Sequence, residues 1–261
     1  MEVIIRSTAD EAARLVAQLI AHEVRATPAL VLGLATGRTM ERVYEGLVEM
    51  HQSEGLDFSR CRTFNLDEYV GLAPDDPHSY RHYMDEHLFN RVNIDRRNTH
   101  LPNGLAPDLD AECRAYEERI RQAGGIGLQI LGLGRSGHIG FNEPLSALRS
   151  RTRVKALTQT TIQQNAAIFG SAFMVPPRAI TMGVGTILDA RRILLLATGS
   201  SKAGIVARTV EGPITSMISA TALQLHERCT VIVDEAAAVD LEGTDYYRWI
   251  FESEPEWEAY R

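Results

Sequence analysis

Three short segments of this chain carry the residue types that acid–base and anion chemistry require. The first is Leu32-Gly-Leu-Ala-Thr-Gly-Arg-Thr39, an apolar run that breaks into a polar turn ahead of a helical pattern. Unpaired N–H groups where a helix starts, joined by the hydroxyls of Thr36 and Thr39, can bind an anion. The GxxxxGK[ST] spacing of a P-loop is absent, and a Gly–Thr turn before a helix can equally serve plain capping. The second is Phe64-Asn-Leu-Asp-Glu-Tyr69, with two adjacent acids where an apolar strand ends. Interior acids are rare unless paired, so Asp67 reads either as a general base tuned by its neighbours or as a helix cap or surface-turn residue. The third is Gly132-Leu-Gly-Arg-Ser-Gly-His138-Ile-Gly-Phe-Asn-Glu143-Pro, a turn too rich in glycine to be a packing face. A His and a Glu at the carboxyl end of a strand suit an acid–base pair.

Two other patterns compete with this reading. The third segment contains a literal GxGxxG after a strand, the mark of dinucleotide binding. Gly140 and Pro144 interrupt the helix that should follow, and Arg151-Thr-Arg-Val-Lys155 stands where the ribose-binding acid should be. A nicotinamide-dependent dehydrogenase therefore ranks third among the alternatives. His78, His82 and Asp85 or Glu86 lie at helical spacing and could present metal ligands. The HExxH arrangement is missing, though, and Tyr80, Tyr83 and Met84 mark an ordinary amphipathic stretch, so no metal is expected.

For the three segments to act together, a scaffold must bring strand ends side by side. Short β-branched runs alternate with helical patterns: strands at Val3–Ile5, Leu30–Ala35, Arg62–Leu66 and Leu128–Leu133, then Val154–Leu157, Ala179–Val184, Ile193–Ala197 and Val231–Val233. Helices are expected over Thr8–Arg25, from the Thr36–Thr39 turn to Met50, and over Tyr80–Phe89, Asp110–Gln122 (capped by Asp110) and Lys202–Val210. Continuous apolar strands between helices indicate an α/β fold: one doubly wound, mostly parallel, Rossmann-like sheet with helices on both faces in three layers. No linker or repeat divides the chain, so residues 1–261 read as a single domain. In such a sheet, chemistry collects at the carboxyl ends of the strands.

Composition narrows the partners. A formal net charge of −7 and the lack of any basic run argue against nucleic acid. No stretch reaches the ~18 apolar residues of a membrane span, and the acidic, interrupted N-terminus is not a signal peptide. Cys61, Cys113 and Cys229 are widely spaced and form no CxxC pair, which fits buried thiols in a reducing, cytoplasmic setting.

The segments GLATGRT, TFNLDEYVGL, GHIGFNEP, ITMGVGTILDA, TGSSKA and LQLH, in this order from Val31 to Asp234, resemble the glucosamine-6-phosphate deaminases. The broader superfamily also holds galactosamine-6-phosphate deaminase/isomerases and 6-phosphogluconolactonases, but NLDEYVGL and HIGFNEP are closer to the glucosamine enzymes. The resemblance implies an aldose–ketose isomerisation coupled to deamination: glucosamine 6-phosphate becomes fructose 6-phosphate and ammonia in amino-sugar and N-acetylglucosamine catabolism. It implies that His138, helped by Glu143, opens the pyranose ring, that Asp67 moves the proton from C2 to C1, and that no cofactor takes part. The phosphate would rest on Thr36, Gly37, Arg38 and Thr39. Of the only two lysines, Lys202 matches the family's phosphate-binding lysine. Lys155, with Ser146 and Arg153, matches the pocket where hexameric members bind the activator N-acetylglucosamine 6-phosphate, so a homo-oligomer, up to a hexamer, is expected.

This sequence departs from the family pattern in several places. Ser136 stands where many members have Asp beside the catalytic His. Serine can bond the imidazole but cannot balance its positive charge, so ring opening is expected to be slower. Arg38 replaces a Gly or Ser of the phosphate turn, and Ala167 replaces an arginine that contacts phosphate, which suggests that Arg38 restores the lost charge. Ala156 replaces a residue that is often polar near the activator pocket. The alternatives are a deaminase for another amino-sugar phosphate such as galactosamine 6-phosphate, and a sugar-phosphate sensor without catalysis.

Overall fold

Continuous apolar runs become the strands of a parallel sheet. The computed structural model describes residues 1–261. Its strands are β1 (Glu2–Arg6), β2 (Val31–Leu34), β3 (Arg62–Asn65), β4 (Asp67–Tyr69), β5 (Thr99–His100), β6 (Leu128–Gly132), β7 (Arg153–Ala156), β8 (Arg178–Thr181), β9 (Arg192–Ala197) and β10 (Cys229–Asp234). The main helices are α1 (Ala9–Ala26), α2 (Arg38–Glu54), α3 (Tyr80–Met84), α4 (Leu109–Gln122), α5 (Gln159–Phe169), α6 (Val184–Leu188), α7 (Ala203–Val210), α8 (Glu235–Ala238) and α9 (Thr244–Ser253).

Seven strands form a parallel sheet in the order β1-β10-β9-β6-β2-β3-β5. Strands β2, β9 and β10 are buried at every position, as expected of strands covered on both faces. Helix α1 packs on α2 and lies along β1, β9 and β10. From β2 the chain winds outward to β3 on one side and later, through β6, to β9 and β10 on the other. The order therefore reverses between β2 and β6, where open α/β sheets form a crevice beyond the strand ends.

The expected α/β fold is found, with several local differences. Strands β7 and β8 do not join the main sheet; with β4 they form a small antiparallel sheet in the order β4-β8-β7. Strand β7 is only partly buried and carries Arg153 and Lys155, a poor fit to a position covered on both faces. Asp67 does not end the third strand: β3 stops at Asn65, and Asp67 begins β4. Asp108, not Asp110, caps α4, accepting from Ala111 N at 2.9 Å. The predicted helix Tyr80–Phe89 is a short α-helix running into a π-helical turn at Asp85–Phe89. Lys202 ends a 3-10 turn rather than opening the α-helix.

Candidate active site

The crevice at the reversal is a cavity of about 250 Å³, and the sequence-predicted residues converge on it. Thr36, Gly37, Arg38 and Thr39 come from the end of β2 and the start of α2, Asp67 from the first position of β4, and His138 from the turn after β6. Lys202, from the turn after β9, completes the set. These positions are separated by up to 166 residues in sequence (202 − 36), and the sheet order alone makes them neighbours.

At the Thr36–Thr39 turn no hydroxyl caps the helix that follows, so its start is open. The N-cap of α2 is Gly37, at φ 114°, and no side chain bonds the first amides of the helix. The turn is held from behind: Tyr44 Oη donates to Ala35 O at 2.5 Å, and Tyr83 Oη donates to Gly37 O at 2.9 Å. Lys202 is half-buried and its Nζ donates to Leu133 O at 2.5 Å. Burial, and then the charge of Arg135, push its pKa down. Arg38 is exposed on the rim of the cavity. Ala167 is exposed on α5 and lies outside the cavity lining.

Asp67 is 6% exposed and faces the cavity. Burial first, then repulsion from Glu68, raises its pKa to about 8. The His138 segment comes directly alongside at Gly140, which adopts φ +55°. A Cβ there would lie 2.9 Å from Thr181 Oγ1 and 3.3 Å from Asp67 Oδ2. Thr181 pairs with Asp67 across the small sheet and accepts from Phe141 N at 3.0 Å, so β8 fastens the histidine segment to the aspartate strand.

His138 Nδ1 lies 2.7 Å from Ser136 Oγ and 3.5 Å from Glu143 Oε2. The other oxygen of Glu143 accepts from Thr161 Oγ1 at 2.5 Å, from Thr158 Oγ1 at 3.2 Å and from Thr158 N at 3.3 Å. Burial alone would raise the Glu143 pKa. Contacts with His138, Thr161 and Thr158 outweigh it and hold the carboxyl at about 2. These contacts keep the Glu143 carboxyl ionised well below the usual carboxylate range, and its Oε2 is buried with no hydrogen bond of good geometry. Ser136 and Glu143 sit behind His138 rather than in the cavity wall.

Ser146, Arg153 and Lys155 also lie outside the cavity. Arg153 Nη2 donates to Ser146 Oγ at 3.0 Å and Nη1 to Asn142 Oδ1 at 2.9 Å, next to Glu143. His78 bonds Asp76 at 3.0 Å and stacks on Phe169, while His82 faces Glu86 at 3.9 Å. The cavity wall also contains Tyr80, Phe141, Thr161, Gln164 and Asn165, which residue types and spacing had not singled out as site residues. Three of them sit on α5, whose sequence lacks a strong apolar stripe. Its ends are legible, however: Thr158 caps the start and Gly170 the end.

Residues 5–232 match the family described as glucosamine-6-phosphate isomerases/6-phosphogluconolactonase. The glucosamine-6-phosphate deaminase of Hahella chejuensis is 52% identical over 250 residues, covering 96% of this chain and 95% of that protein. The corresponding Shewanella woodyi protein is 48% identical with the same coverage. A solved structure described as a monomeric glucosamine-6-phosphate deaminase superposes with a TM-score of 0.90. It is 45% identical and covers 92% of this chain and 100% of that chain.

Proposed function

The chain belongs to the family of glucosamine-6-phosphate isomerases and 6-phosphogluconolactonases, and on that basis we propose that it converts glucosamine 6-phosphate to fructose 6-phosphate and ammonia. The observation that carries this reading is the juxtaposition, at Gly140, of a buried Asp67 with the His138–Glu143 pair. Isomerising an aldose needs one group to open the ring and another to carry a proton between adjacent carbons.

In this reading the phosphate rests on the first amides of α2 and the hydroxyls of Thr36 and Thr39, with Lys202 and Arg38 as counter-charges. His138 takes the O1 proton and delivers one to the ring oxygen, opening the pyranose. Glu143 balances the imidazolium, and Ser136 holds the ring in place. Asp67 removes the C2 proton as O1 takes up the proton that the C2 ammonium gives up, forming a C1–C2 enolamine; it then returns its proton to C1, leaving an iminium at C2. Water adds to that iminium and ammonia leaves, giving the ketose phosphate. Each positioned proton transfer contributes about 10²–10⁴-fold.

The decisive assay measures ammonium release from glucosamine 6-phosphate and from galactosamine 6-phosphate, with wild type and Asp67→Asn. Release from the first substrate, nearly abolished in the variant, is expected. No release from either would favour a sugar-phosphate sensor, and a preference for galactosamine would reassign the substrate.

Ser146, Arg153 and Lys155 form, in the same reading, a pocket for N-acetylglucosamine 6-phosphate in a homo-oligomer of up to six chains. The Arg153–Ser146 bond and the alternation of β7, which puts Lys155 on the same face as Arg153, support this. Against it stands the described monomeric state of the similar solved structure. Light scattering with and without the acetylated sugar tests it; a monomer with unchanged kinetics would remove the activator site. A reducing, cytoplasmic setting fits the three unpaired buried cysteines, and action in N-acetylglucosamine catabolism follows from the proposed substrate.

A further inference from the structure

We propose that Glu68 is a positioning residue whose carboxylate couples the strand carrying Asp67 to the helix that holds the anion-binding turn. Strand β4 alternates, so Asp67 and Tyr69 point one way and Glu68 the other. Glu68 is 3% exposed. Its Oε1 accepts from Tyr69 N at 2.8 Å and from Tyr80 N at 3.0 Å, and its Oε2 accepts from Arg81 N at 2.9 Å. The Tyr80 and Arg81 amides are the first two of α3, and Ser79 already satisfies the next one, at His82. A buried acid is a costly way to cap so short a helix unless its position matters.

The consequences run directly into the cavity. Helix α3 presents Tyr80, whose ring stacks on Phe141 at 6.0 Å, one residue beyond Gly140. One turn later Tyr83 Oη holds Gly37 O. Arg81 Nη1 reaches Thr99 at the start of β5. A single carboxylate therefore ties the acid–base strand to the helix that braces the phosphate turn, in addition to the β2–β3 pairing that runs up to Leu66 N and Leu34 O. Burial, partly offset by the three amide bonds, pushes the pKa of Glu68 itself up to about 7, so above that value its charge stands beside Asp67 and disfavours ionisation there. The inference rests on the deaminase reading for its kinetic consequence but not for its structural one.

The test uses Glu68→Gln, which keeps the side chain's shape but removes the charge and one acceptor oxygen, and Tyr83→Phe, which removes only the bond to Gly37. Calorimetry with inorganic phosphate should show both variants binding about tenfold more weakly, the value of one strong hydrogen bond. Hydrogen exchange at Tyr80 and Arg81 should quicken in Glu68→Gln and not elsewhere in the sheet. The acidic limb of its kcat/KM profile on glucosamine 6-phosphate should move to lower pH. Wild-type phosphate affinity in both variants would overturn the proposal, as would faster exchange spread over the whole protein with an unmoved limb. If wild type releases no ammonium, the deaminase reading falls, and phosphate binding with amide exchange still decides the role of Glu68.

Discussion

Glu143 Oε2 stands 3.5 Å from His138 Nδ1, buried and without a hydrogen bond of good geometry. The arrangement qualifies what Ser136 implies: serine bonds the ring at 2.7 Å, and on the proposed mechanism the balancing charge is that of Glu143. Glu143→Gln should therefore lower kcat by about 10²-fold, in the range of a lost acid–base assistant. Ser136→Ala, which removes one neutral bond, should cost no more than about tenfold. Ser136→Asp should raise kcat only modestly. Steady-state ammonium release from the three variants checks the order; a Ser136→Ala loss exceeding that of Glu143→Gln would reverse the assignment.

On the proposed mechanism Asp67 is a base only when ionised, and burial reinforced by Glu68 lifts its pKa to about 8. Below that value kcat/KM should fall about tenfold per pH unit, and above it the profile should level off. A pH–rate profile on the free enzyme reads this directly. A flat profile across neutral pH would show that another group limits the reaction.

The same raised pKa works against the fold. Below the ordinary carboxylate value of 3.8, Asp67 is protonated whether the chain is folded or not. Between there and about 8 the folded state keeps a proton that the unfolded chain releases, so stability declines as pH rises through this window. Asp67→Asn stays neutral and escapes the loss. Its melting temperature should match wild type near the acidic edge and exceed it above the window by at least about 2–4 °C, corresponding to roughly 1 kcal/mol. Thermal melts without ligand at both ends of the range measure it; equal melting temperatures in alkali would contradict the burial argument.

Arg38 is exposed at the rim, so its attraction for a phosphate is screened by solvent. Arg38→Ala should raise KM about two- to fivefold, with kcat unchanged, because the contact is the same before and during reaction. A KM equal to wild type would show that Arg38 does not replace the charge missing at Ala167.

Much of the site could be read from local chemistry. Thr36–Thr39 open a long amphipathic helix, and the pattern of residues locates both the turn and its free amides. His138 and Glu143 lie in a glycine-rich turn that no packing requirement explains. The continuous apolar runs at β2, β9 and β10 indicate strands covered on both faces, and hence a parallel sheet with its chemistry at one end. Helix α5 escaped notice because only Thr161 and Phe169 along it are buried, leaving little period to detect.

Residue order along the chain determines which groups exist and what each can do in isolation: an acid at a strand end, a histidine in a turn, a lysine after a glycine. Tertiary structure decides which of them meet. Strand β6 pairs with β2 rather than with its sequence neighbours, and that sets His138 across from the helix start at Arg38. Strand β4 leaves the main sheet to pair with β8, which turns Asp67 into the cavity and Glu68 towards α3. The raised pKa of Asp67, the lowered one of Glu143 and the clamp at Glu68 all depend on burial and on partners distant in sequence. Solvation and through-space charge set those properties, and neither is written in any local stretch of residues.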